Sequence, residues 1–206
     1  MDHGVPADFQ VEARIYGNYI LATRPDAKIG VLYQNDDFGK DYLIGLKAAL
    51  GARARTMIVS EQSYEVSDPT IDSQMVALKQ SGADVFLDVT SPKFGAQAIR
   101  KAAELDWKPL HIIDYAANSV GAVLKVAGVQ NAEGLVSAAF LKDPSDPSLK
   151  DDAEVRAYLA FLDKWMPGAD RSDALLVYGY VAAQALVQVL EQALALALAL
   201  VERVLV

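Results

Sequence analysis

The chain has 206 residues, 52% of them hydrophobic and 22% charged, which suits a folded soluble protein of one large domain rather than a disordered segment. Its net charge of -8, with no cluster of Lys and Arg, argues against a nucleic-acid partner. Cysteine is absent, so thiol catalysis, thiolate zinc sites and disulfides are excluded.

The start, Met1-Asp2-His3-Gly4, has neither a basic segment nor an apolar one. The expectation is a cytosolic protein, or one whose signal peptide is absent from this chain. From Asp8 to Ala22 the spacing of Phe9, Ala13, Tyr16, Ile20 and Leu21 predicts a helix, with Asp8 as its cap. Lys28 to Tyr33 is an apolar run expected to be a buried strand, and Asp37 to Leu50 a helix ended by Gly51. Thr56 to Ser60 predicts a second strand. Asp68-Pro69-Thr70 opens a helix whose apolar face is Ile71, Met75 and Leu78, with Gly82 ending it.

Asp84 to Val89 reads as a third strand. Ser91-Pro92 then starts a helix running to about Leu105, with proline at its favoured first position. Leu110 to Ile113 is a fourth strand, and His111 is expected there as a strand residue rather than a catalyst. Asn118 to Val126 predicts a helix and Leu135 to Phe140 a fifth strand. Strands alternating with helices imply a doubly wound, mostly parallel five-stranded α/β sheet with helices on both faces.

The character changes at "KDPSDPSLKDD". Residues 1–142 form the expected α/β lobe, residues 143–152 a hinge-like linker, and residues 153–206 helices without strands. The last of these ends in "EQALALALALVERVLV". As a helix this tail is apolar all round; as a strand it sets its leucines on one face. Its apolar stretch between Glu191 and Glu202 is shorter than the ~20 residues a membrane span requires. Such low complexity suggests an engineered or artificially assigned segment.

In an open α/β sheet the ligand crevice lies beyond the carboxyl ends of the strands. Those ends carry Asn35-Asp36-Asp37-Phe38, Tyr64, Thr90-Ser91-Pro92-Lys93-Phe94 and Asp114-Tyr115-Ala116-Ala117-Asn118. This is a rim of hydroxyls, aromatic rings and carboxylates, met by helix N-termini whose free N–H groups suit a carboxylate. Plainer roles stand beside it: Asp37, Ser91 and Asn118 or Ser119 can cap helices, and Phe38 and Phe94 can be packing residues. No GxGxxG follows the first strand and no GxxxxGK[ST] occurs, so neither a dinucleotide nor a P-loop signature is present. A receiver-like phosphoacceptor with Asp88, Thr90 and Lys142 is the remaining alternative to a binding module. The chain is not expected to be an enzyme, and no cofactor or metal is called for.

The order of segments resembles the type I periplasmic binding proteins of the leucine/isoleucine/valine-binding family, which serve ABC transporters. The resemblance is to the second lobe and runs over about residues 8 to 190. It is carried by "EARIYGNYIL", "KIGVLYQNDDFGKDYLIGLKAALG", "SPKFGAQAIRKAAELDWKP", "SVGAVLK", "GLVSAAFLKDPSDP" and "YGYVAAQALVQVL". It implies a periplasmic solute-binding component holding an amino acid or an aromatic or aliphatic carboxylate between two lobes. Expected contacts are Phe38, Thr90, Ser91, Tyr115 and Ala116, with Asn35, Asp36 and Asp114 beside them. Amino-acid binders of the family carry an acidic residue after the fourth strand, where Tyr115 stands here next to Asp114. The implied partners are a transporter permease and the first lobe, which this chain lacks. Self-association through the C-terminal helix is expected too, because the family packs that region on the other lobe. The alternative is an excised or engineered scaffold without ligand binding.

Overall fold

Helices alternating with short parallel strands build the first part of the structure. The structure is a computed structural model that describes residues 8–204, and side chains as far as residue 197. His3 and the Met1 to Gly4 start lie outside the described residues, as do the side chains of Leu198 and Leu200. The chain divides into two units, residues 8–140 and residues 141–204.

In the first unit, α1 (Phe9–Thr23) is capped by Asp8, whose carboxylate accepts from Gln10 N at 3.1 Å. Strand β1 (Ile29–Gln34) follows, then α2 (Asp37–Leu50) and a short α3 (Ala54–Met57). Strand β2 (Ile58–Tyr64), α4 (Asp72–Gln80), β3 (Val85–Val89), α5 (Pro92–Glu104) and β4 (Leu110–Ile113) complete the alternation. A π-helical turn, Val120–Leu124, runs into α6 (Lys125–Ala127). All strand pairings are parallel, in the order β2-β1-β3-β4.

Side-chain alternation along the strands feeds two cores. Ile29, Val31, Val85, Leu87 and Ile112 point to the α1–α2 side, among Ala13, Tyr16, Ile20, Tyr42 and Leu46. Leu32 and Phe86 point to the other side, among Met75, Leu78, Phe94 and Ala98 of α4 and α5. Helices α1 and α2 approach closely because glycine faces the contact: a Cβ at Gly45 would sit 2.4 Å from Gln10 O. Gly39 serves the turn from β1 to α2 in the same way, since a Cβ there would lie 2.0 Å from Gln34 O.

Three boundaries differ from expectation. The second strand begins at Ile58 and continues to Tyr64, while Thr56 and Met57 lie in α3. It is an edge strand with one face in water, so polar Ser60, Glu61, Gln62 and Ser63 occupy it and no apolar run marks it. The helix expected from Asp68 begins at Asp72. The sheet has four strands, and the fifth apolar run is reduced to one parallel bridge, Ile112 with Val136. Side chains take the backbone beyond it: Ala138 N donates to the Tyr16 hydroxyl at 2.9 Å, and Asn118 Nδ2 donates to Ala138 O at 3.2 Å.

The second unit holds α7 (Ala153–Trp165), capped by Asp152, and α8 (Ala174–Val204). Tyr158, Leu162 and Val177 form its small core, with Leu159, Leu176 and Tyr180 around them. The Ala/Leu tail is helical. Counted from Ala174 to Ala197, α8 is 24 residues long and apolar enough, by length and composition alone, to cross a membrane. The window is longer than the tail because it includes the helix before Glu191.

Candidate functional site

Because the strands are parallel, their carboxyl ends share one edge of the sheet. That edge carries Asn35, Asp36 and Phe38 after β1, Tyr64 at the end of β2, Thr90 and Ser91 after β3, and Asp114, Tyr115 and Ala116 after β4.

At the β1 end the interactions are local. Asp36 caps α2, its Oδ1 accepting from Gly39 N at 3.2 Å while its Oδ2 accepts from the Gln34 side-chain amide. Exposed Asn35 donates from Nδ2 to Glu65 Oε1 at 2.6 Å. Phe38 is half-buried in an aromatic group, edge-on to Phe9 at 5.0 Å and to Tyr42 at 5.4 Å between ring centres. Its ring therefore packs α2 on α1, which is the plainer of the two roles open to it.

Between β3 and β4 the contacts reach across elements. Asp114 is fully buried. Its Oδ2 accepts from Thr90 N at 2.7 Å and its Oδ1 from Ala116 N at 2.7 Å. Thr90 is equally buried, and its hydroxyl donates to Asp88 Oδ1 at 2.8 Å. The other Asp88 oxygen meets His111 Nε2 at 3.1 Å. Ser91 N donates to the Tyr64 hydroxyl at 3.0 Å, and that hydroxyl donates to Gln34 Oε1 at 3.0 Å. Ser91 precedes α5 without a side-chain bond to the helix. From α1, Glu12 accepts from the Tyr16 hydroxyl at 2.6 Å and from Tyr115 N at 2.9 Å. The Tyr115 ring lies edge-on to Phe140 at 4.5 Å.

This corrects the expectation of free N–H groups on the rim. The amides of Thr90, Ser91, Tyr115 and Ala116 all donate to oxygens of buried or partly buried side chains. Thr90 and Asp114 face inward, so they support the edge and do not line it. Ser91, Tyr115 and Ala116 are partly exposed and do line it. His111 is a buried strand residue, its ring tilted against Phe86 at 4.5 Å between ring centres. Lys142, the lysine a receiver-like reading needs, pairs with Asp152 at 2.7 Å and Glu154 at 2.8 Å.

Burial sets the electrostatics. Desolvation holds the Asp114 carboxyl well above the usual carboxylate range, and nearby Asp88 and Glu12 push it the same way against the Thr90 and Ala116 N–H groups. Asp88 is raised by burial and eased down by His111 and Thr90. The Tyr42 hydroxyl is raised by burial and by Asp114 and Glu12, and it is buried with no hydrogen-bond partner. Among the described residues, no group of three or more His, Asp or Glu is placed to hold a metal ion.

Glu12, which the sequence reading does not single out, supports the edge from α1. The signal was present: it falls on the apolar stripe of α1, three residues after Phe9 and four before Tyr16, where an acid is out of place.

A sequence-family profile described as "Periplasmic binding protein" matches residues 5–201. A branched-chain amino acid ABC transporter structure from Thermus thermophilus, with bound valine, superposes with a TM-score of 0.74 at 17% identity, covering 87% of this chain and 46% of that one. A solute-binding protein from R. palustris in complex with benzoate gives 0.67 at 16% identity, covering 85% and 46%. A fatty acid ABC transporter substrate-binding protein from Thermomonospora curvata gives 0.63 at 22% identity, covering 85% and 44%. The chain thus spans under half the length of each of these three structures. No curated protein matches it.

Proposed function

This chain belongs to the periplasmic binding protein family, and on that premise we propose that it is the second lobe of a solute-binding component of an ABC transporter. The observation that carries this reading is the meeting of the four strand ends at one edge of a parallel sheet within a family match of nearly full length. The role is binding, not catalysis. The ligand is a small carboxylate, either an amino acid or an aromatic or aliphatic acid. Ser91, Tyr115 and Ala116 contact it, with Asn35, Asp36 and the exposed margin of Phe38 at the β1 end. Thr90 and Asp114 hold these loops from beneath.

The working partners are a first lobe closing over this edge and a permease, in the periplasm. Helix α8 adds self-association: Leu186, Leu190, Leu194 and Leu196 are each about 60% exposed along one helix. A single lobe offers one wall, so contacts are roughly halved and water stays in the cleft. Losing ~4 kcal/mol weakens binding about a thousandfold. Calorimetry of the monomeric chain with valine and benzoate should show no dissociation constant tighter than roughly millimolar. A micromolar constant on monomeric material would contradict the one-lobe reading.

A further inference from the structure

The loop amides at the β3–β4 end of the edge, Thr90, Ser91, Tyr115 and Ala116, all end on side-chain oxygens. Thr90 N, Ser91 N and Tyr115 N are each held by a side chain from another part of the chain, and Ala116 N by Asp114, the cap of its own turn. Thr90 N and Ala116 N, on different loops, end on the two oxygens of one carboxylate, Asp114. Tyr115 N ends on Glu12, which comes from α1, 103 residues earlier in sequence. Both carboxylates are buried, 0% and 3% exposed, and neither forms an ion pair with Lys or Arg among the described residues. An acid kept there without a cation is costly unless its oxygens are otherwise satisfied, and here loop N–H groups satisfy them.

We propose that Asp114 and Glu12 are positioning residues of the ligand wall: their buried carboxylates hold the Thr90–Ser91 and Tyr115–Ala116 loops at one fixed separation. Asp114 is a two-point brace between the ends of β3 and β4, and Glu12 ties the second loop to α1. Both Asp114 oxygens accept at 2.7 Å, so each oxygen is committed to one loop N–H. A proton on either oxygen adds a donor to the brace and weakens the bond that oxygen accepts. The titratable groups around Asp114 are Glu12 from α1, Tyr42 from α2, Tyr64 from β2 and Asp88 from β3, with His111 of β4 on Asp88. Among the described residues no Lys or Arg pairs with Asp114, and burial favours its protonation.

The inference rests on the proposed function only in calling these loops a ligand wall. Its test therefore uses no ligand. In the ¹⁵N-labelled chain, amide hydrogen exchange is followed at Thr90, Tyr115 and Ala116, with Val31 and Leu87 as sheet controls. Asp114→Ala should speed exchange at Thr90 and Ala116 by about tenfold or more, the worth of one hydrogen bond, and leave Val31 unchanged. Glu12→Ala should do the same at Tyr115, and Glu12→Gln, which keeps an acceptor oxygen, should restore it. In the unsubstituted chain the Thr90 and Ala116 amide shifts should titrate together with one midpoint above the usual carboxylate range. Unchanged exchange in both alanine variants overturns the proposal. So does a titration in which the two amides move separately or not at all, and this arm holds even if a variant fails to fold. A failed ligand panel would count against the solute-binding reading and leave the brace standing.

Discussion

Residues 8–140 and residues 141–204 are both rich in helix and in aliphatic side chains, yet they place those side chains differently. In the first unit α5 alternates Lys93, Gln97, Arg100 and Lys101 with Phe94, Ala98, Ile99 and Ala102, and the apolar set is buried against the sheet. In the second unit α8 is more apolar than α5, yet beyond Tyr180 its Leu186, Leu190, Leu194 and Leu196 are all exposed. Burial is decided by what a helix can lie against, not by its own hydrophobicity. The α/β unit supplies a sheet with two faces; among the described residues the helical unit supplies α7, which packs on α8 at Leu176, Val177 and Tyr180.

The widest separation should come from core truncation. Phe86→Ala, at a fully buried site between Trp107 and His111, should cost ~3–5 kcal/mol in urea unfolding. Leu190→Ala, on the exposed part of α8, should change stability by less than ~0.5 kcal/mol. Equal effects would break the comparison. Next is helix contact within the first unit: Gly45→Ala should cost ~1–3 kcal/mol, because the added carbon meets the backbone of Gln10 and α1 must move.

A pH effect sharpens the comparison further. Asp88 and Asp114 both have raised folded-state pKa values, so the folded chain binds more protons than the unfolded chain above about pH 4. Their contribution is fully present below the unfolded value and lost as pH rises through the folded values. Stability of residues 8–140 should therefore fall as pH rises above about 4, by at most about 1.4 kcal/mol per pH unit for each such proton. Asp114→Asn should flatten that slope. A chain that becomes more stable as pH rises over this window would contradict the assignment.

The smallest expected change in folding accompanies a change in assembly. Replacing Leu190 and Leu194 by Gln should leave unfolding within ~0.5 kcal/mol of the parent. In sedimentation the parent should associate at tens of micromolar and the variant should not. If the parent is monomeric there, α8 has no self-association role.

How much of this was legible in the sequence depended on whether a residue's partners were near it in the chain. The apolar runs of β1 and β3 and the Pro92 start of α5 are local signals, and they read correctly. So does His111 as a strand residue. Strand β2 lies later than the apolar run suggests because an edge strand needs few apolar residues, and the polar Ser60-Glu61-Gln62-Ser63 stretch hides it. The fifth run lost its ladder to Tyr16 and Asn118, side chains distant in sequence whose claim on Ala138 no periodicity announces. At the edge, position was readable and orientation was not. Thr90 and Asp114 stand in the loops as expected but face the interior, because Asp88, Ala116 and the opposing loop supply their partners. Glu12 carried its own signal, an acid on an apolar stripe, and that signal concerned support of the edge.

The central claim is that the carboxyl-terminal edge of the sheet in residues 8–140 is one wall of a small-carboxylate cleft. The most direct measurement is a ¹⁵N chemical-shift titration of the monomeric chain with benzoate, and separately with valine, into the tens of millimolar. The account predicts saturable shifts at Ser91, Tyr115, Ala116 and Asn35 with at least one of the two ligands, and none at Lys28 or Asp84 at the opposite ends of the strands. Shifts confined to those opposite ends, or to α8, would contradict it.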